Sequence, residues 1–297
     1  MKPARFEYTA PETLAEAISL LQQRADDDVK ILAGGQSLMP LLNMRMARPE
    51  LLIDLNRIDG LEYIREEDRW LAIGAMTRKR DVEDSALAQR RQPALVAATR
   101  LVAHPQIRNR GTVGGSIAHA DPAAEYPALA VLLGAELKAV GPDGERRIAA
   151  EDFFQGYLTT ALEPAEVLTE VRVPVLEPGT GWSFLEVARR HGDFALGGAG
   201  VTARLDSAGS FDEVRIVLFG VGAATVRLLD IETWLRGQPP SDALFEEAGA
   251  RASQGLESPL SDVHASADYR RNLARVLTVR ALGEAVERAG ADEEGGR

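Results

Sequence analysis

The chain has 297 residues, of which 45% are hydrophobic and 27% are charged, a composition typical of globular proteins with a substantial core. Its formal charge of −11 argues against general nucleic-acid binding, because phosphates require a basic protein face. The absence of cysteine excludes disulfides, thiolate nucleophiles, cysteine-ligated zinc and iron–sulfur clusters held by this chain. Any redox chemistry on this chain therefore needs a bound organic cofactor, and any metal cluster belongs to another polypeptide.

Membrane and export signals are missing from the sequence. No apolar run approaches the roughly 20 residues that cross a bilayer, so no transmembrane segment is expected. The first residues, MKPARFEYTAPETLAEA, contain no apolar stretch of the kind found in secretion signals. We therefore expect a cytoplasmic protein.

The first predicted elements form a β–α–β unit. The stretch TLAEAISLLQQR, Thr13 to Arg24, has helical apolar spacing, with Thr13 as the predicted N-cap and Glu16 at capping-box distance. VKILAGG then predicts a short buried strand that ends at paired glycines. SLMPLLNMRMA predicts a helix started or broken by Pro40, and LLIDLN predicts the next strand.

Hairpins and helices follow in the next part of the chain. LEYIREEDRWLAIGA alternates around a charged turn, which predicts a hairpin. Helices are expected at about Arg78–Asp84, Pro93–Ala103 and Ala123–Leu133. A second hairpin is expected to turn at Pro142–Gly144, and EVLTEVRVPV predicts an alternating strand.

LEPGTG, Leu176 to Gly181, is the predicted linker, and the pattern of predicted elements changes after it. Antiparallel strands are predicted in WSFLEVARR, GGAGVTARLD, FDEVRIVLFGVG and ATVRLL. The helices predicted after them lie at Leu228–Leu235, Asp242–Gln254 and about Ala267–Ala289. We therefore predict an α+β protein with a domain at 1–176 (subdomains about 1–56 and 57–176), a domain at 181–290 and a disordered polar tail at 291–297.

Two glycine pairs stand out as candidate phosphate-binding turns. They lie in ILAGGQSL, Ile31 to Leu38, and in GTVGGSIAHADPAAE, Gly111 to Glu125. Glycine at a strand end permits positive φ and leaves room for another group to approach the backbone. Consecutive free N–H groups in such a turn form an anion site, strengthened when a helix begins there.

Both turns carry polar residues beside the paired glycines. In the first turn Gly34, Gly35 and Gln36 are expected to offer amides and Ser37 a hydroxyl. In the second, Thr112 and Ser116 are expected to offer hydroxyls around the glycines. Two such turns facing one gap would hold a pyrophosphate from both sides. We therefore expect Gly35→Val and Gly114→Val to abolish cofactor retention, because a Cβ would occupy the path of the phosphate.

Alternative interpretations of these stretches stay open. Paired glycines also mark ordinary tight turns or bulges, and the chain has 27 glycines. Neither stretch matches a phosphate loop ending in Gly-Lys-Ser/Thr or the spaced glycine motif of NAD-binding folds.

The polar residues around the second turn divide into several expected roles. Asp121 is expected to start a helix, whereas Glu125 is the better candidate for hydrogen bonding to a ribose hydroxyl. His104 is expected to be a turn residue, and the role of His119 stays open. Arg108 and Arg110 are expected to be solvated, with phosphate neutralisation or subunit contact as the alternative.

Four ordered motifs give the chain a family resemblance: ILAGGQSLMPLL, HPQIRNRGTVGGSIAHADPAAEYPA, VLTEVRVP and ARRHGDFAL. Together they resemble the FAD-binding medium subunit of molybdenum hydroxylases, the family of bacterial carbon monoxide dehydrogenase and xanthine dehydrogenase. The resemblance covers nearly the whole chain. It implies an FAD-binding domain of the vanillyl-alcohol-oxidase type in two α+β subdomains. A smaller C-terminal domain with an antiparallel sheet and helices is expected to follow.

The resemblance also implies a set of FAD contacts. Glu186 is the position where this chain departs from the xanthine dehydrogenase branch, which has a lysine there, and Phe194 corresponds to a position near the flavin ring. No catalytic residue and no metal ligand is expected on this chain. The implied cofactor-binding residues are Ile31, Leu32, Ala33, Gly34, Gly35, Gln36, Ser37, Leu38, Val102, Thr112, Val113, Gly114, Gly115, Ser116, Glu125, Leu168, Glu186 and Phe194.

The function implied by the resemblance is electron transfer within a complex. A large subunit is expected to carry a molybdenum–molybdopterin cofactor, and a small subunit two [2Fe–2S] clusters. FAD on this chain would take electrons from the clusters and pass them to an external acceptor, with quinone, cytochrome and NAD left open. Two alternatives remain at this point: a stand-alone FAD oxidoreductase resembling the enolpyruvyl reductase of cell-wall synthesis, and an adaptor without cofactor.

Overall fold

A computed structural model describes residues 1–295 of the protein and the side chains of residues 1–290. A small parallel sheet forms the first layer of the fold. Its strands run parallel in the order β1-β3-β2, as the predicted β–α–β unit requires. Thr13 and Glu16 form the predicted capping box at the start of the first helix. The elements of this layer are β1 (Glu7–Thr9), α1 (Leu14–Gln23), β2 (Val29–Leu32), α2 (Leu38–Asn43) and β3 (Leu51–Asp54).

A five-stranded antiparallel sheet forms the second layer, in the order β4-β5-β10-β6-β7. Both predicted hairpins are present. The central strand β10 is buried on both faces. Val171 and Val173 join the core of this layer, and on the other face Glu170 contacts Tyr63 and Arg172 lies over Trp70. Its elements are β4 (Ile64–Glu67), β5 (Trp70–Gly74), α3 (Lys79–Asp84), α4 (Ala86–Arg91), α5 (Pro93–Leu101), α6 (Pro105–Arg108), α7 (Val113–His119), α8 (Glu125–Leu133), β6 (Glu136–Gly141), β7 (Gly144–Ala149), α9 (Ala150–Phe153), β8 (Phe154–Gly156), β9 (Thr159–Thr160) and β10 (Val167–Pro174).

A four-stranded antiparallel sheet and three helices complete the fold. One sheet face packs on the C-terminal helices, and Phe184 and Phe219, which stack with ring centroids 5.0 Å apart, join the core of the preceding layer. The sheet therefore lies between the two cores. Its elements are β11 (Thr180–Val187), β12 (Gly197–Leu205), β13 (Phe211–Phe219), β14 (Val226–Arg227), α10 (Leu229–Leu235), α11 (Asp242–Gln254) and α12 (Ala267–Gly295).

The last helix ends near the limit of the described residues. Its predicted end at Ala289 was too early, since α12 extends to Gly295. The predicted disordered tail at 291–297 differs from the structure, in which α12 continues through residues 291–295, and residues 296–297 lie outside the described part of the chain. The domain boundaries stay a prediction. Between residues 1 and 295, no helix combines the length and apolarity needed to cross a membrane.

Gly181 fixes how closely β11 approaches α12. A Cβ at Gly181 would lie 1.8 Å from the carbonyl oxygen of Ala285 and 2.5 Å from the amide nitrogen of Ala289. Because both obstacles are backbone atoms, a rotamer change cannot relieve the overlap. We expect Gly181→Ala to lower the free energy of unfolding by about 2 kcal/mol or more, measured by urea denaturation.

A glycine within the same helix provides the control. Gly283 lies in α12 with no atom within 4 Å of a built Cβ. Gly283→Ala should therefore raise the free energy of unfolding by roughly 0.5–1 kcal/mol through helix propensity. Equal midpoints for the Gly181 and Gly283 variants would contradict the close approach of β11 to α12.

Candidate cofactor site

The first glycine turn, which connects β2 to α2, presents a row of free backbone amides. Within the described part of the chain, none of the N–H groups from Gly34 to Ser37 donates a hydrogen bond to a protein acceptor. Gly35 has a φ of 73°, the left-handed conformation that gathers successive N–H groups into a concave anion site. The side-chain amide of Gln36 donates to the carbonyl of Gly34 (3.1 Å) and fixes the turn. These free amides are the donors expected from the sequence.

The second glycine pair differs from the sequence-based expectation. Gly114 and Gly115 lie inside helix α7, whose N-cap is Thr112. The N–H of Gly114 donates to the carbonyl of Ala75 (2.8 Å), and that of Gly115 donates to the Thr112 hydroxyl (3.0 Å). The amides of this pair are therefore already used by the protein. The hydroxyl of Ser116, half-buried in the same first turn, accordingly becomes the better donor there.

The two glycine segments lie directly against each other at Gly34, whereas the sequence analysis expected two turns facing one gap. A Cβ at Gly34 would lie 2.4 Å from the carbonyl oxygen of Arg110 and 2.7 Å from the Cα of Gly111. A Cβ at Gly115 would lie 3.5 Å from that of Ala33. The chain ahead of α7 thus passes directly against the first turn, and only glycine permits this approach.

The expectation that a Cβ at Gly35 or Gly114 would occupy the path of the phosphate is wrong. A Cβ at Gly114 would point at Ala75, 2.5 Å from its Cβ, and so into the protein interior. A Cβ at Gly35 would lie 3.2 Å from side-chain atoms of Leu32 and Met39, and the positive φ of Gly35 already disfavours a side chain. Both valines would act by displacing the turn or helix α7. Gly34 is the position where a Cβ would separate the two segments.

Arg78 ties the two segments together, a role that no sequence motif indicated. Its guanidinium donates to the carbonyl of Arg110 (2.8 Å) and to the side-chain oxygen of Asn56 (2.6 Å). Asn56 in turn donates to the carbonyl of Ala33 (2.9 Å) in the first turn. Burial and the neighbouring Arg110 guanidinium lower the pKa of Arg78. The signal was absent from the sequence because Arg78 contacts one backbone carbonyl and one side chain that are both far from it in the chain.

A cluster of buried titratable groups borders the second segment. Lys79, 6% exposed, begins α3, and burial lowers the pKa of its ammonium to about 8, although Glu125 opposes this effect. Burial raises the pKa of Glu125, 8% exposed at the start of α8, with its own backbone N–H and Lys79 acting in the opposite direction. Burial likewise lowers the pKa of the half-buried His119. Lys79 was not predicted as a site residue, because a lone lysine at a helix start carries no signal of burial.

Asp121 does not start a helix, contrary to the sequence prediction. Its carboxylate accepts a hydrogen bond from the N–H of Ala123 (2.9 Å) in the turn before α8. Helix α8 begins at Glu125 with Ala124 as its N-cap. Glu125 is therefore the acidic residue at the helix start, and it also remains the candidate cofactor contact.

Val102 and Arg108 are joined in the segment after α5. Val102 is 5% exposed, and its carbonyl accepts a hydrogen bond from the Arg108 guanidinium (2.9 Å). Arg108, 6% exposed, also pairs with Glu83 (2.8 Å), so the expectation that it is solvated is wrong. Because its guanidinium is occupied by these partners, Arg108 supports the segment near Val102 and is not free to neutralise phosphate.

Two further predicted contacts lie in different settings. Leu168 is buried beside a register shift between β10 and β6, so its side chain belongs to the core and only its backbone is suited to a cofactor contact. Phe194 is 64% exposed in the loop after β11. That loop touches the segment after Val102, since a Cβ at Gly192 would lie 2.4 Å from an imidazole carbon of His104.

Glu186 lies on β11, paired with Gly198 of β12. One of its carboxyl oxygens is buried and has no hydrogen-bond partner. Burial raises the pKa of Glu186 to about 8, and the Glu125 carboxylate adds to the rise.

The stability of the cofactor-free chain should reflect this carboxyl group. Between about pH 4.5 and pH 8 the native state keeps a proton that the unfolded chain releases, so the free energy of unfolding falls as pH rises through this window. Glu186→Gln removes the titration and should lessen this fall, so its stability relative to the native sequence increases with pH. Urea denaturation at several pH values measures the difference. Glu287→Gln, at an exposed position of α12, should show no such divergence.

Two family descriptions match the chain and divide it between them. Residues 4–176 match the FAD binding domain in molybdopterin dehydrogenase, and residues 182–285 match the CO dehydrogenase flavoprotein C-terminal domain. The fold and the turns just described therefore define a flavoprotein of the molybdopterin dehydrogenase class.

Known relatives extend over the same length. The chain is 43% identical to the 6-hydroxypseudooxynicotine dehydrogenase complex subunit alpha of Paenarthrobacter nicotinovorans, covering 97% of each chain. It is 41% identical to the carbon monoxide dehydrogenase medium chain of Hydrogenophaga pseudoflava, over 96% of this chain and 98% of the relative. A solved structure of carbon monoxide dehydrogenase from that organism superposes with a TM-score of 0.93, covering 97% of this chain and 99% of the other. The chain belongs to the family of FAD-binding medium subunits of molybdenum hydroxylases.

The residues present fit FAD. The free amides from Gly34 to Ser37 suit the negative charge of a pyrophosphate, and the Ser116 hydroxyl lies on the helix that packs beside them. The buried Glu125 and the unpaired carboxyl oxygen of Glu186 offer hydrogen-bonding groups to the remaining polar atoms of a dinucleotide. The cofactor predicted from the sequence is therefore the one that the family carries and the site accommodates.

Proposed function

We propose that this chain holds FAD between its two glycine segments and serves as the exit for electrons in a three-subunit molybdenum hydroxylase. The single observation that carries the proposal is the row of free amides from Gly34 to Ser37 beside the segment that leads into α7. The relatives named as a complex subunit and a medium chain support a subunit role. The free amides and the subunit relatives together favour an FAD-carrying subunit over a stand-alone oxidoreductase or an adaptor without cofactor.

Each part of the site has a distinct task in this proposal. The amides of the first turn bind the pyrophosphate, and the turn's position depends on Arg78 and Asn56. Val102 and the backbone at Leu168 contact the cofactor from the core of the second layer, and Glu125 accepts a hydrogen bond from it. Phe194, exposed in its loop, covers the flavin ring.

The chemistry that FAD supplies when bound is the acceptance of single electrons and the release of pairs. A partner subunit with iron–sulfur clusters provides the electrons, because this chain contains no cysteine to ligate a cluster. A large partner subunit with molybdenum–molybdopterin oxidises the substrate. No proton-transfer residue on this chain is needed for that oxidation.

The proposal is tested by removing FAD from the assembled complex. The complex is reduced anaerobically with dithionite, freed of excess reductant and mixed separately with a soluble quinone, cytochrome c and NAD⁺. With FAD present, the iron–sulfur signals should be reoxidised rapidly by the physiological class of acceptor. Without FAD they should stay reduced. Reoxidation at equal rates in both preparations would refute the electron-exit role.

A cytoplasmic location of the complex is part of the proposal and rests on the sequence-based expectation. Fractionation of the source cells with antibody against this chain tests it. Recovery of the chain with cytoplasmic markers is expected. Recovery with exported proteins would contradict it.

A further inference from the structure

Glu186 lies on the face of the C-terminal four-stranded sheet that packs against the second layer. Strand residues alternate between faces, and Ser183 bonds to Glu284 of α12 (3.0 Å) on one face. Phe184, on the opposite face, packs into the core that contains α8. Because Glu186 is two residues from Phe184, its carboxyl group lies on the face directed at α8 and Glu125.

The carboxyl group of Glu186 is half-buried and has no hydrogen-bond or ion-pair partner among the described residues. One oxygen is buried with no hydrogen bond. Among the described residues, neither a lysine nor an arginine forms an ion pair with it within 4.0 Å, whereas nearby Glu125 repels its charged form. A buried, unpaired carboxylate is costly, and such a group retains its proton instead.

The other charged groups near β11 do not supply a counter-ion to Glu186. Arg189 pairs with Asp193 in the following loop (3.4 Å). Arg288 pairs with Glu284 (3.3 Å) on the α12 side of the sheet. The remaining titratable groups on nearby elements are Lys79, Arg100, His119, Asp121, Glu125, Arg190 and His191.

We propose that Glu186 is a carboxylic acid in the FAD-loaded protein and donates its O–H hydrogen bond to an acceptor atom of the bound flavin. The inference rests on the proposed FAD site and adds the protonation state and the direction of one hydrogen bond. An O–H donor gives the flavin a neutral partner at a position where no cation is present. Ionisation of Glu186 removes the donor and places a negative charge beside the flavin. FAD affinity therefore falls as the carboxyl group ionises.

The test compares FAD binding by the full chain at pH 6.5 to 9.5 with the visible spectrum of the bound flavin. The native sequence should bind FAD about 10-fold more weakly at the alkaline end, with the loss of affinity beginning near pH 8, where Glu186 of the FAD-free chain ionises. Because bound FAD favours the protonated form, the spectral change of the bound flavin should have its midpoint at a higher pH than this. Glu186→Gln keeps a neutral donor, so its dissociation constant at pH 6.5 should stay within about threefold, and its pH dependence should disappear. Glu186→Leu lacks the donor and should bind about 5- to 10-fold more weakly at every pH.

Lys79→Met is measured in parallel, because the Lys79 ammonium also titrates near pH 8. The transition should persist in Lys79→Met and vanish in Glu186→Gln, and the reverse pattern would overturn the inference. It would also be overturned if Glu186→Gln bound FAD more than about 10-fold more weakly at pH 6.5, since the carboxylate would then be accepting a hydrogen bond. In either case the native chain would still bind FAD, whereas failure of the proposed site would appear as no binding at all.

Discussion

Gly34→Ala is expected to weaken FAD binding by about 100-fold or more. The added Cβ would meet the backbone of Arg110 and Gly111, so the first turn must move away from the segment that leads into α7. Hydrogen bonds from amides to a charged group contribute about 1.5–3 kcal/mol each, and the loss of two accounts for a change of this size. The effect is larger than that expected for any polar side chain of the site.

Fluorescence titration with FAD measures the effect, with circular dichroism confirming that the variant folds. Gly222→Ala is the matched control, because a Cβ there meets only ordinary contacts at 3.7 and 3.8 Å. It should bind FAD like the native chain. Unchanged affinity in a folded Gly34→Ala variant would show that the contact between the two segments does not shape the cofactor site.

Arg78→Ala is expected to weaken FAD binding by about 10-fold. The substitution removes hydrogen bonds that link the Arg110 carbonyl, Asn56 and, through Asn56, the first turn. Two hydrogen bonds of this kind contribute about 1–3 kcal/mol to the position of the turn. Arg78→Lys should lose nearly as much, because a single ammonium does not reproduce the planar fork that reaches both acceptors.

The neighbouring arginine provides a matched control. Arg80 is exposed and pairs with Asp84 (2.6 Å) and Glu83 (3.5 Å) along α3, and neither partner belongs to a glycine segment. Arg80→Ala should leave FAD affinity unchanged. Equal affinities of the native, Arg78→Ala and Arg78→Lys proteins would contradict the bridging role. Full retention by Arg78→Lys alone would show that Arg78 acts through its charge.

Much of the fold followed from local sequence patterns. The capping box at Thr13, the charged hairpin turn between β4 and β5 and the alternating strands of the C-terminal sheet are determined by nearby residues. Helix α4 was missed, because Ser85 ends one short helix and caps the next within a stretch that has no strong apolar period. The end of α12 was missed for a related reason, since its last turns are polar.

The site was predictable in outline and not in its chemistry. The sequence identified both glycine pairs, but the pairs look alike in sequence and differ in structure. The first leaves its amides free, whereas the amides of the second bond to Ala75 and Thr112. Arg78 and Lys79 act through contacts between distant parts of the chain, and no pattern of nearby residues reveals such contacts.

The content of flavin in the purified chain shows directly whether this chain holds FAD. The chain is purified, denatured and analysed for released FAD by chromatography, before and after incubation with excess FAD. We expect a yellow protein that releases close to one FAD per chain, and a Gly34→Ala variant that releases almost none. A folded native chain that contains no FAD even after incubation would contradict the assignment of this site.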